Sequence, residues 1–143
     1  MINLSPIAYV RNSRKEIKDD FWGEAIVAFQ GIEDFSHLEI IFYFHLLEDH
    51  AKDNWIGHPR GNEQWSEVGM FAQRKKKRIN SLGLTIVELE RVEGKVLHVK
   101  RLDAIDGTPI LDIKPVMEEF LPQRDISQPQ WSHELMTNYW ESK

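Results

Sequence analysis

A chain of 143 residues with 41% hydrophobic and 29% charged residues is most simply one soluble globular domain. It contains no cysteine, which excludes a disulfide framework and thiolate chemistry and fits a reducing cytoplasm. With 18 Lys and Arg against 23 Asp and Glu, the formal net charge is -5, so the surface is not basic all over, as a general nucleic-acid binder's would be.

The N-terminus lacks the positive start and continuous apolar run of a secretory signal. LSPIAYVR (4–11) and EAIVAF (24–29) have the β-branched and aromatic content of strands, and the polar NSRKEIKDDFWG between them reads as a loop. Residues 31–37 read as a turn. LEIIFYFHLL (38–47) reads as a strand buried on both faces; it is about half the length of a membrane span and carries Glu39 and His45. Residues 48–67 are polar, with Pro59 and two glycines, and predict a long loop. VGMFAQ (68–73) predicts a short strand, and five consecutive cations follow: Arg74, Lys75, Lys76, Lys77 and Arg78.

LTIVELERV and VLHVKRLDAI flank Glu93-Gly94, a hairpin signal with apolar residues alternating against charges. DGTPILDIKP (106–115) opens with a turn and returns to strand. Ser127-Gln128-Pro129-Gln130 offers a helix start, and Trp131, Leu135 and Tyr139 follow at spacings of four, an apolar stripe for a helix docked on the body. Six or seven short strands and one C-terminal helix predict a mainly β fold, a small antiparallel barrel or sandwich, over roughly 4–122 with a helical tail over 123–143.

Several chemistries are excluded. No Gly-rich loop opens a helix after a strand, so neither a P-loop nor a dinucleotide fingerprint is present. The six histidines show no metal-ligand spacing. Ser36-His37 are sequence neighbours and read as a turn whose hydroxyl caps a backbone group rather than a nucleophile and its base.

The segment around the cations is more specific. FAQR, then R-x-N-x-x-G-L-T, then L-D-x-x-DGTP-x-LDIKP occur in that order, preceded by PIAYVRNSRKE, GIEDFSHLEIIFYFH and HPRGN. The set resembles the TsaA-like (TrmO-like) family over roughly residues 6–122. Characterised members are S-adenosylmethionine-dependent methyltransferases that act on the exocyclic amine of N6-threonylcarbamoyladenosine beside the tRNA anticodon. The ending resembles a compact branch of the family. Where the family reads R-P-N-P-I-G, this chain reads Arg78-Ile79-Asn80-Ser81-Leu82-Gly83, without either proline, so a less stiff loop is expected.

The resemblance implies a small β-barrel and a homodimer that binds S-adenosylmethionine near the subunit interface. Carried onto this chain, the cofactor pocket draws on Trp22, His45, Leu46, Arg74, Leu84, and Leu102-Asp103-Ala104-Ile105. A carboxylate and an aromatic face suit a sulfonium, and an arginine suits the cofactor's carboxylate, which makes Asp103, Trp22 and Arg74 the candidates for those tasks. The attacking nitrogen must lose a proton, and His45 and Asp106 are the candidate bases; Asp106 has the alternative of a turn carboxylate bonding its own backbone. Arg74, Lys75, Lys76, Lys77, Arg78 and Asn80 are candidate contacts for the anticodon stem-loop of tRNA. Lys114 reads either as a contact for the threonyl carboxylate or as a surface lysine. Two further readings stand beside this one: a non-catalytic RNA-binding module on the same fold, and a methyltransferase of small molecules.

Overall fold

The computed structural model describes residues 1–12, 30–47 and 55–141, and the backbone of 22–26. Six antiparallel strands close into a barrel in the order β1-β2-β7-β6-β3-β8. They are β1 (Ala8–Arg11), β2 (Trp22–Ile26), β3 (His37–Tyr43), β6 (Leu82–Glu93), β7 (Val96–Lys100) and β8 (Pro109–Pro115). The short strands β4 (Ile56–Gly57) and β5 (Val68–Gly69) form a separate ribbon, and α1 (Gln130–Leu135) follows the barrel. The expected mainly β barrel with a C-terminal helix is therefore the observed fold. No helix among the described residues is long and apolar enough to cross a membrane.

Alternation decides the core. Leu38, Ile40 and Phe42 of β3 point inward with Val10, Val87, Leu97, Val99, Leu102 and Ile110, while Glu39, Ile41 and Tyr43 are half-buried. The expectation that 38–47 is buried on both faces is thus corrected: in a closed barrel only one face of each strand meets the interior. The strand also ends at Tyr43, and His45-Leu46 form a turn. The β6–β7 hairpin forms as expected, with Glu93 opposite Val96 and Gly94 at φ 58, a conformation glycine takes without strain.

Other boundaries moved for local reasons. The strand expected over 68–73 stops at Gly69, because Met70–Ala72 turns into a 3-10 helix with Met70 N–H bonded to Trp55 O at 2.7 Å. The Gln73 side chain then donates to Gly57 O and Val68 O at 3.2 and 2.9 Å, stapling the β4–β5 ribbon inside the region read as one long loop. Residues 48–54 of that loop and 13–21 of the earlier one lie outside the described residues; Trp22 and Gly23 belong to β2. The second hairpin strand ends at Lys100, where Arg101 at φ 66 leaves the sheet. Helix α1 is 6 residues long and ends at Leu135, so Tyr139 lies beyond it, after Asn138 at φ 58.

Candidate functional site

Between β7 and β8 the chain runs without regular structure, and hydrogen bonds shape it. The Thr108 hydroxyl donates to Ile105 O at 2.7 Å, closing the Asp106-Gly107 turn, where Gly107 sits at φ 83. Asn12, just past β1, clips this turn from outside: its backbone N–H donates to Asp106 Oδ1 at 2.8 Å and its side-chain amide to Ala104 O at 2.9 Å. Gly107 N–H to Val10 O and Val10 N–H to Thr108 O complete the seam at 2.8 and 2.9 Å.

Opposite this segment, β3 exits through Phe44, whose N–H bonds Ser81 O at 2.9 Å. The two exits and the cation strip enclose an open pocket with about 280 Å³ of empty space, lined by Phe44, His45, Leu46, Lys76, Asp103, Ala104, Ile105 and Thr108. Its walls are mostly apolar and carry one imidazole, one ammonium and one carboxylate. Burial lowers the His45 pKa from the ordinary histidine value, so the ring is neutral at pH 7. The backbone comes close behind it: a β-carbon built on Gly107 would stand 3.7 Å from His45 Nε2. Asp103 accepts a hydrogen bond on Oδ2 from the Tyr139 hydroxyl at 2.5 Å.

The residues expected at a cofactor site divide accordingly. His45, Leu46, Asp103, Ala104 and Ile105 line the pocket, and Leu102 is fully buried in the core beside them. Leu84 lies on the outer face of β6, and its carbonyl accepts from the Arg74 guanidinium at 2.5 Å. Trp22 begins β2 opposite Lys100, and its side chain lies outside the described residues. Asp106 accepts on its carboxylate from the backbone N–H of Asn12 and is not among the lining residues.

The cation strip is less uniform than its sequence. Lys76 enters the pocket wall, Lys77 is exposed, and Lys75 is half-buried. Burial first, then the charges of Arg78 and Lys77, push the Lys75 pKa below its ordinary value. Arg78 points inward, donating to Gln73 O at 2.5 Å and Met70 O at 3.3 Å, and so braces the loop. Asn80 is exposed. Ser81 is buried at φ 52, an angle that proline's fixed φ of about −65° does not reach. This loop therefore takes a backbone conformation closed to a proline at that position, and Arg78 together with the Phe44–Ser81 bond ties it down. Lys114 stands on β8 opposite Glu39, beside Asp112 at 3.6 Å, at the other end of the strand from the pocket.

Three contributors were missed from sequence. Phe44 lay inside an apolar run, Thr108 inside a turn motif, and Tyr139 on a supposed helix stripe. The Thr of Asp-Gly-Thr-Pro was the one legible signal.

Fold and site together define a small antiparallel barrel whose loops, at one end, hold an open, mostly apolar pocket that carries charged groups of both signs. More narrowly, the chain belongs to the tRNA-methyltransferase O N-terminal domain family, whose model matches residues 8–121. It is 36% identical over 108 residues to a tRNA (adenine(37)-N6)-methyltransferase of Homo sapiens, covering 76% of this chain and 24% of that protein. It is 32% identical over 135 residues to a probable S-adenosyl-L-methionine-binding protein of Pyrococcus abyssi, covering 84% of this chain and 71% of that one. The crystal structure of TrmO from Pseudomonas aeruginosa is similar with a TM-score of 0.66 at 25% identity, over 87% of this chain and 61% of that one. The chain spans about a quarter of the length of the first curated relatives it matches.

Proposed function

We propose that this chain is an S-adenosylmethionine-dependent methyltransferase acting on the exocyclic amine of N6-threonylcarbamoyladenosine beside the tRNA anticodon, in the cytoplasm and as a homodimer. The observation that carries the reading is the meeting of His45, Lys76 and Asp103 in one otherwise apolar pocket. The residues present fit the cofactor's chemistry. Asp103 and the Phe44 ring suit a sulfonium, Leu46 and Ile105 suit an apolar ring system, and Lys76 suits a carboxylate. When bound, the cofactor supplies an electrophilic methyl group on a good leaving group, so the protein's share is alignment and proton handling.

His45 is assigned the role of base. Its neutral imidazole accepts the proton that the incoming amine must lose, and its lowered pKa keeps it in that form at neutral pH. Asp106 is assigned to holding the turn, because its carboxylate is engaged by Asn12. Lys75 and Lys77 are assigned to phosphates. Arg78 works from inside by bracing the loop that presents them.

Two features support a homodimer. The pocket is open to solvent, so another surface is needed to enclose a ligand. On the outer face of β6, Leu82, Leu84 and Ile86 are 38%, 45% and 44% exposed, an apolar row of the kind a partner covers.

Isothermal calorimetry with S-adenosylmethionine, then mass spectrometry of nucleosides from tRNA incubated with protein and cofactor, tests the proposal. Binding and a methylated threonylcarbamoyladenosine are expected. tRNA binding without cofactor binding would leave an RNA-binding module instead, and methyl transfer only to small molecules would move the substrate out of RNA.

A further inference from the structure

We infer that Tyr139 is a positioning residue for Asp103, so that the C-terminal tail completes the pocket in cis. The inference rests on the cofactor reading above. The family model ends at residue 121, and the tail beyond it packs back onto earlier parts of the chain at two places. At α1, Trp131 packs on Trp65 with ring centroids 6.4 Å apart, and Trp65 Nε1 donates to Glu134 Oε2 at 2.7 Å. Past α1, the Tyr139 hydroxyl donates to Asp103 Oδ2 at 2.5 Å. The Arg60 guanidinium stands 5.6 Å over the Tyr139 ring, and that of Arg101 5.8 Å over Trp140.

The backbone around this contact is unusual. Among the described residues four non-glycines have positive φ, and three of them lie in or against this part of the tail: Arg60 at 51° over Tyr139, Arg101 at 66° over Trp140, and Asn138 at 58° just before Tyr139. Such conformations are unfavourable for residues with a side chain and persist where the surroundings over-determine them, often at functional sites. The Trp65 cluster alone would dock the tail. The second anchor instead aims a phenol at the only carboxylate among the pocket-lining residues. An O–H donated to one carboxylate oxygen fixes the rotation of the group, and with it the direction in which the negative charge faces the pocket.

That role makes a distinction that mere support does not. A directed carboxylate favours S-adenosylmethionine, a sulfonium cation, over S-adenosylhomocysteine, its neutral thioether. Wild type, Tyr139→Phe, Asp103→Asn and the double variant are titrated with both compounds, and their melting is followed. Tyr139→Phe is expected to lose about five- to tenfold in affinity for the cation, the range of one hydrogen bond, and much less for the thioether. Asp103→Asn should lose the preference outright, and Tyr139→Phe should add nothing to it. Equal losses for both compounds, no loss, or additive losses in the double variant would overturn the inference. Should Tyr139→Phe fail to fold, Asp103→Asn decides alone: an unchanged preference there means that Asp103 does not face the cation. Wild type that binds neither compound would instead sink the functional reading itself.

Discussion

Gly83→Ala is expected to unsettle both the barrel and its pocket. Gly83 on β6 pairs with Phe42 on β3, and the Phe42 ring occupies the place where a side chain would begin. A β-carbon built there stands 2.5 Å from Phe42 Cζ and 2.9 Å from Cδ2, with Cε2 closer still. Carbon atoms pack at about 3.5 Å or more, so the ring must retreat by about 1 Å. It has little room, being 2% exposed inside a closed barrel. Overpacking of this kind costs about 1–3 kcal/mol, and the confined ring argues for the upper half. For a domain of this size each kcal/mol lowers Tm by about 3–4 °C, so a fall of about 6–12 °C is expected by calorimetry or circular dichroism. The disturbance should reach the ligand, because Phe42 meets Phe44 edge-on at 5.3 Å and Phe44 lines the pocket. Adding Phe42→Leu, a side chain without the ring's reach, should recover part of the loss. A Gly83→Ala protein that melts with wild type would refute the reasoning.

Arg78→Ala removes donors from the Met70 and Gln73 carbonyls and should cost about 1–2 kcal/mol in urea denaturation, whereas a pure phosphate contact would leave stability alone. Replacing Lys75 and Lys77 together with serine should lower the slope of log tRNA affinity against log salt by about 1.4–1.8, with cofactor affinity unchanged. Lys76→Ser should weaken cofactor binding as well, since Lys76 lines the pocket; unchanged calorimetry would return it to the RNA side. The His45 pKa is lowered in the folded state, so the unfolded chain binds the proton more readily. Stability should therefore be full above about pH 6.5, the unfolded value, and fall as pH drops through the lower folded one. His45→Gln should flatten that acid limb in melting curves, and a methyl-transfer rate that keeps an unaltered acid limb in the same variant would remove His45 as the base.

What the sequence determined by itself were the features written in short patterns. Alternation along 84–92 and 96–100, with Gly94 between, specified a hairpin because side-chain period and turn chemistry are local. The Asp-Gly-Thr-Pro turn was legible for the same reason, and the ordered motifs from 71 to 115 carried the family and the segment 102–105, of which Asp103, Ala104 and Ile105 line the pocket. The tertiary structure decided which partner each polar group meets. Five adjacent cations look alike in sequence, yet Arg78 turns inward to carbonyls of the 70–73 turn, Lys76 lines the pocket, Lys75 is half-buried, and Arg74 and Lys77 are exposed. Lys114 lies in a motif beside the pocket segment, but each residue of a strand advances it by about 3.3 Å, which carries Lys114 to the far end of β8. Asp106 and Asn12, or Asp103 and Tyr139, are brought together by barrel closure and by the returning tail. A hydrogen bond depends on a few ångströms of relative position between distant segments, and no local pattern encodes that distance.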